Sequence, residues 1–443
     1  MARFLICTVP ATGHVNPGLP IASALVQRGH TVWWYTGRQF QAAIEATGAR
    51  FTPLRSVIDP ADQPMEARFP ERAKLAGLAG FKYDLKHLFL DDAPGQVADL
   101  RRILRAFPAD LILGDTGFIG MALLHELDHV HFATYGITAL TLGSRDTAPF
   151  GTGLPPSATP LGRLRNRMLA TLFEQVIFRD VKAHARDIRK RLGLPEASSS
   201  VLEGTLSPYL YLQSSTPAFE YPRSDVPPQV HFIGPLLPAT PPDWTPPPWW
   251  PNLQAGRPVV LVNQGTVANR LDDLIRPTMQ ALANREVLVV ATTGGAPVEA
   301  LGQLPANARV APFIPFGALL PHVDMMVTNG GYGGVQFALA HGVPLIVAGT
   351  TEEKPEIAAR VAWSGAGINL KTKTPTPEQL RNAVQELMTN GRYRQAAARI
   401  QADYARHNAP EEAATLLERV ASGQPVLRGD VSMLQAAAML AAK

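Results

Sequence analysis

The chain has 443 residues, 46% of them hydrophobic and 18% charged, which is the composition of a globular protein with sizeable cores and the length of two or three domains. A formal charge of +4 spread over this length argues against generic nucleic-acid binding. One cysteine, Cys7, excludes a disulfide within the chain. No apolar run is long enough to span a bilayer or to act as a signal peptide, so a cytoplasmic protein is the default expectation.

The apolar run Arg3–Val9 reads as a first strand, with Cys7 inside it as a buried thiol. A loop follows at Pro10–Pro17. Leu19, Ile21, Ala22, Leu25 and Val26 then fall on one helix face, Gly29 stops that helix, and Thr31–Tyr35 is a second strand. Residues 56–92 lack strong periodicity and read as loops and short helices. Ala109–Asp115 is another strand. The stretch from Arg163 to Arg191 is strongly basic, with only Glu174, Asp180 and Asp187 against it. It reads as a solvated helical face, with contact to an anionic membrane surface as the alternative.

Between residues 236 and 257 the chain carries Pro238, Pro241, Pro242, Pro246, Pro247, Pro248 and Pro251 among Trp244, Trp249 and Trp250. Such density disfavours helix and central strand and predicts a semi-rigid connector, its tryptophans packed on a lobe. A new strand–helix series starts at Pro258–Asn263 and continues through Glu286–Ala291, Ala308–Ala311, Val323–Thr328 and Pro344–Ala348. The chain therefore divides into a lobe at 1–235, the connector, a second lobe at 258–422, and an Ala-rich tail at 423–443 that reads as helical. Alternating strands and helices predict parallel α/β sheets in both lobes. Ligands of such sheets bind beyond the C-terminal strand ends. The loops at Pro10–Pro17, Gly114–Phe118, Gln264–Thr266 and Asn329–Gly334 all lie at such ends.

Asn329-Gly330-Gly331-Tyr332-Gly333-Gly334 opens a helix directly after a strand. Glycines there let an anion approach exposed N–H groups at the positive end of the helix dipole. The alternative is a tight βα turn that needs glycines only for packing. His14 sits in a loop with a pKa range suited to a general base, or else caps the helix after it. Asp115 could orient that imidazole, or cap its own following helix. No Asp-x-Asp pair and no Cys/His cluster with ligand spacing occurs, so no metal is expected; a Gly-x-Gly-x-x-Gly fingerprint after the first strand is also missing, against a dehydrogenase.

Gly13-His14-Val15-Asn16-Pro17, Gln264-Gly265-Thr266, Phe313-Ile314-Pro315-Phe316 with Leu319-Leu320-Pro321-His322, and the glycine segment through Gly342-Val343-Pro344 occur in that order. In this the chain resembles the GT-B fold UDP-glycosyltransferases, the family that includes plant, bacterial and antibiotic glycosyltransferases. The resemblance implies two Rossmann-like lobes facing a central cleft, the first for an acceptor and the second for a nucleotide-sugar. It implies His14 as base and Asp115 as its support. It also implies a donor site from Gly265, Thr266, Phe313, Ile314, Asn329, Gly331, Gly333, Gly334, Glu353 and Lys354. Phe313 would stack on the base, with a core aromatic as the alternative. The reaction implied is inverting and metal-independent, with a UDP-sugar, glucose first, as co-substrate rather than cofactor, and a small lipophilic hydroxylated acceptor. Uridine and thymidine are not separated by these residues. Two positions depart from the family: Asn329 stands where His is usual, and Glu353-Lys354 where Asp-Gln is usual. Because of Asn329, a non-catalytic nucleotide-sugar binder or auxiliary partner of a transferase remains an alternative, as does an epimerase or hydrolase on the same architecture.

Overall fold

A computed structural model describes residues 1–63, 65–75, 77–197, 200–265 and 270–428. Two all-parallel sheets organise them. The first has seven strands in the order β3-β2-β1-β4-β5-β6-β7: β1 (Arg3–Cys7), β2 (Thr31–Thr36), β3 (Arg50–Pro53), β4 (Leu111–Asp115), β5 (Phe132–Gly136), β6 (Tyr211–Gln213) and β7 (Val230–Phe232). The second has six in the order β10-β9-β8-β11-β12-β13: β8 (Val259–Asn263), β9 (Leu288–Thr292), β10 (Ala308–Ala311), β11 (Met325–Thr328), β12 (Leu345–Val347) and β13 (Gly367–Asn369). Helices cover both faces of a parallel sheet, so its strands read as unbroken apolar runs. The chain obeys this: β1 from Phe4 to Cys7, and β4, β5 and β9 throughout, are buried. Cys7 is a fully buried free thiol whose pKa burial pushes upward.

Each sheet has one point where its strand order reverses. In the first sheet β1 lies between β2 and β4, and Phe4 to Cys7 pair in register with Leu111 to Gly114. In the second, β8 lies between β9 and β11, with Asn263 beside Thr328. Such switch points open a crevice at the carboxyl ends of the central strands. The loops after β1, β4, β8 and β11 are the four that the sequence places at ligand-binding ends.

The connector packs on the second lobe. Trp244 and Trp250 meet edge to face at 5.2 Å, Trp250 meets the His322 ring at 5.7 Å, and all three tryptophans lie against the core that includes Val259 and Leu320. The end of the range 258–422 crosses back to the first lobe. The last described helix, Ala409–Ala421, buries Ala413, Ala414, Leu417 and Val420 against Phe4, Ile21 and Leu25 of the first lobe. It is pinned there by Arg28, which donates to Glu411, Thr415 and Glu418. The tail expected to be helical continues this docking in non-helical form through Arg428: Val426 is buried and the Arg428 N–H donates to the Pro228 carbonyl. Residues 429–443 lie outside the described residues.

Candidate active site

His14 lies in a single helical turn, Thr12–Val15, where a loop was expected. Its Nδ1 donates to Asp115 Oδ1 at 2.7 Å, leaving Nε2 as the basic nitrogen. Asp115 ends β4 and its side chain is fully buried. A buried carboxylate needs partners, and this one has two backbone N–H groups besides the imidazole: Gly117 on Oδ1 at 2.6 Å and Val9 on Oδ2 at 2.9 Å. Asp115 therefore does not cap the next helix, Gly120–Asp128, which has no side-chain cap. The Tyr135 hydroxyl donates to the His14 carbonyl at 2.6 Å, which fixes the turn from the other side. The Phe89 ring lies 5.9 Å from the imidazole.

Gly117, Phe89 and Tyr135 were missed by the sequence reading. A Cβ on Gly117 would stand 2.8 Å from His14 Cε1, 2.8 Å from Phe89 Cε1 and 3.0 Å from Asp115 Oδ1. Only a glycine leaves the imidazole its seat. The weak signal was the Asp-Thr-Gly at a strand end; nothing local to Phe89 or Tyr135 announced them.

Across the cleft, Gly331 caps the helix Tyr332–Ala340. Gly333 is exposed and a Cβ there would meet nothing within 4 Å, so the helix N-terminus opens onto free space. Gly334 lies behind it, near Phe316 and Met326. Asn329 is buried, and its amide joins the two central loops: Nδ2 donates to the Gln264 carbonyl and Oδ1 accepts from the Gly331 N–H at 3.3 Å. Gly265, at φ +76°, sits beside that amide. Thr266 lies outside the described residues. Gly349 was also missed. Its hydrogen stands where a Cβ would be 1.9 Å from the Asn329 carbonyl, so the loop after β12 can pass against Asn329 only with glycine.

Phe313 follows β10 and its side chain is 61% exposed, which removes the core-aromatic alternative; Ile314 beside it is buried. The ring lies over Gly295, 3.3 Å from where a Cβ would stand.

Glu353 and Lys354 start the helix Lys354–Trp363. Burial pushes the Glu353 carboxyl up, and the facing His14 imidazole pulls it the other way. The two lobes thus bring Glu353 and His14 within electrostatic reach. Lys354 is buried and pairs with Glu352; burial, with Arg72 of the first lobe nearby, lowers it to about 8. Among the described residues no group of three or more His, Cys, Asp or Glu could hold a metal ion.

The lobes are joined by buried polar contacts next to this site. Arg360 Nε donates to Glu220 of the first lobe at 3.0 Å and Nη1 donates to Glu356 at 2.7 Å. Glu356 in turn accepts from the Gly151 and Gly153 N–H groups of the first lobe at 2.9 and 2.7 Å. The Tyr332 hydroxyl, in the first turn of the helix Tyr332–Ala340, accepts from Gln213 Nε2 at 3.1 Å.

Residues 276–420 match the model of the erythromycin biosynthesis protein CIII-like C-terminal domain. The chain is 49% identical to 4'-demethylrebeccamycin synthase of Lentzea aerocolonigenes, over 94% of this chain and 99% of that one. The chain belongs to the glycosyltransferase family that unites antibiotic glycosyltransferases and UDP-glycosyltransferases. A second relative of this glycosyltransferase is UDP-glycosyltransferase 2 of Phaeomoniella chlamydospora, 35% identical over 94% of this chain and 95% of that one. Its fold is that of GT-B enzymes: the crystal structure of the kitacinnamycin glycosyltransferase superposes with a TM-score of 0.71 at 24% identity, covering 94% of this chain and 98% of the other. Among the described residues of this glycosyltransferase no helix is long and apolar enough to cross a membrane.

Proposed function

We propose that this glycosyltransferase moves a hexose, with glucose the sugar to test first, from a UDP-sugar to a hydroxyl of a small lipophilic natural-product acceptor, with inversion and without a metal. The observation that carries the reading is the His14–Asp115 pair at one switch point, its imidazole held by a buried carboxylate. His14 Nε2 takes the acceptor proton as the acceptor oxygen bonds to the anomeric carbon. The bond from that carbon to the diphosphate oxygen breaks in the same step, and UDP leaves with the electron pair. One displacement on the face opposite the leaving group inverts the configuration. Asp115 holds the imidazole in the Nδ1–H tautomer and stabilises the imidazolium. The N–H groups around Gly331, Gly333 and Gly334 take up charge on the departing diphosphate, as preorganised donors do. Thr266 and Gly265 are assigned to the same diphosphate from sequence, Phe313 with Ile314 to the base. Glu353 accepts from sugar hydroxyls, and Lys354 adds positive charge beneath the donor.

The UDP assignment draws on the name of the Phaeomoniella relative, and the natural-product acceptor on those of the antibiotic enzymes. A cavity of about 390 Å³ in the first lobe offers an acceptor both apolar walls, from Phe150, Phe173 and Phe178, and polar ones, from Glu174, Lys182 and Glu203. Phe173 and Phe178 belong to the same apolar cluster as Phe89, the ring beside His14. The test is incubation with UDP-glucose and other UDP- and dTDP-hexoses against a panel of phenolic and indolic acceptors. Glucoside with inverted anomeric configuration is expected from wild type and lost in His14→Ala, with UDP affinity retained. Full turnover in His14→Ala refutes the base. Donor binding without turnover of any acceptor by wild type favours the non-catalytic binder.

A further inference from the structure

Apolar side chains normally cover the core face of a surface helix, with polar ones outside. The helix Pro160–Leu172 and the wider turn Phe173–Ile177 that continues it reverse this. Leu161, Leu164, Met168, Leu172 and Val176 are 79%, 55%, 65%, 45% and 65% exposed. Their spacing of three, four, four and four residues puts them in one stripe along the helix, about 22 Å long at 1.5 Å per residue. The buried side of the same helix is held by polar and small groups: Gly162 and Asn166 are its buried residues, and Asn166 Nδ2 donates to the Arg145 carbonyl at 3.0 Å. The helix is therefore anchored with its apolar face outward, and a contiguous exposed stripe of this size marks an interaction surface.

The charge around the stripe identifies the occupant. Arg163, Arg165 and Arg167 flank it and the helix carries no acid. Arg167 and Arg179 are exposed, and neither pairs with a carboxylate among the described residues. Arg163 is committed to Asp146 at 2.8 Å, Glu174 pairs with Lys182 at 3.2 Å, and Asp180 pairs with Lys82 and Lys86 at 2.6 and 2.8 Å, which leaves Arg167 and Arg179 as the cations beside the stripe. We propose that this face docks on an anionic phospholipid surface, the five apolar side chains entering the headgroup–acyl boundary and Arg167 and Arg179 meeting lipid phosphates. That is the arrangement of helices that lie in a membrane interface. A second copy of the chain is the poorer fit, because a twofold contact through the stripe would bring two sets of arginines together. The inference stands on the surface alone and does not depend on the acceptor or donor assigned above.

The experiment is flotation of the full chain with vesicles of phosphatidylcholine alone and of phosphatidylcholine with one quarter phosphatidylglycerol. Wild type floats with the anionic vesicles, less so as salt is raised. Met168→Glu/Leu172→Glu lowers this partitioning by about tenfold or more, with its circular dichroism melt unchanged because both side chains face solvent. Arg167→Gln/Arg179→Gln keeps the stripe and lowers only the preference for anionic over neutral vesicles. Absence of flotation by wild type overturns the proposal, as does equal flotation by Met168→Glu/Leu172→Glu. A lipid-free dimer in sedimentation velocity that this double variant dissolves overturns it in favour of a second copy.

Discussion

Arg360 is 1% exposed and ties two carboxylates from different lobes, Glu220 at 3.0 Å and Glu356 at 2.7 Å, while its guanidinium lies 4.2 Å from the Tyr221 ring centre. Replacing it by Met keeps most of the volume and removes the charge. Two buried carboxylates are then left facing each other without a cation. Breaking a buried pair from one side costs about 3–5 kcal/mol. The cost here should fall near the lower end, because Glu220 keeps the Leu140 N–H at 2.8 Å and Glu356 keeps the Gly151 and Gly153 N–H groups. About 3 kcal/mol is a factor on the order of 10² in the equilibrium between latched and opened lobes. Thermal denaturation at pH 7, with hydrogen exchange at Gly151 and Gly153, reads both parts. Glu220→Gln/Arg360→Met should recover about half of the loss. An Arg360→Met protein that melts with wild type and protects Gly151 and Gly153 equally refutes the latch.

Asp115→Asn should lower turnover by about 10²–10⁴ with donor affinity unchanged, because the amide no longer selects the Nδ1–H tautomer of His14; steady-state kinetics against UDP titration checks it. Gly117→Ala should lower turnover by about 10²-fold, since displacing a catalytic group by 1 Å costs that much, and the melt should move little. Lys354 titrates near 8 in the folded chain, so UDP-sugar affinity should decline as pH rises through 8, a limb absent in Lys354→Met. The effect on stability has the opposite sign. The folded value lies below the roughly 10.4 of an unfolded lysine, so the unfolded chain binds more protons between the two and raising pH from 8 to 10 stabilises the fold. A UDP affinity that is flat from pH 7 to 9 in wild type would remove Lys354 from the donor site.

The parallel sheets and their order along the chain were legible because strands buried on both faces leave continuous apolar runs, as in Phe4–Cys7 and Val259–Val262. The four cleft loops were legible because each follows such a run. What escaped has a common physical character. Gly117 and Gly349 act through contacts between loops distant in sequence, and a lone glycine carries no record of what approaches it. Phe89 lies in a π-helical segment, Leu85–Leu90, inside the region read as having weak periodicity, and its partner His14 is 75 positions earlier. Asn329 was read as part of the donor site from its place in the motif. Its amide also bridges Gln264 and Gly331, which an isolated sequence motif cannot reveal.

The return of the last helix to the first lobe changes how the cleft is set. A connector alone would let the lobes swing about one tether, and its proline content would stiffen that tether without fixing an angle. The helix Ala409–Ala421 supplies a second crossing: it follows Tyr404, whose hydroxyl donates to Gln336 of the helix Tyr332–Ala340, and ends on the sheet that carries His14. Glu356 and Arg360 add a third link within about two turns of Glu353 and Lys354. Two crossings and a buried ionic contact leave the lobes little freedom to rotate independently. The distance between His14 and Glu353 is accordingly set by packing remote from both. Weakening that packing at Leu417, which is fully buried against the first lobe, should therefore reach the chemistry. Leu417→Ala should cost about 2–5 kcal/mol of stability and also lower turnover of the folded fraction, with UDP affinity retained because the donor loops all lie in the second lobe. Turnover per folded molecule equal to wild type would show that the second crossing holds the lobes together without setting the cleft.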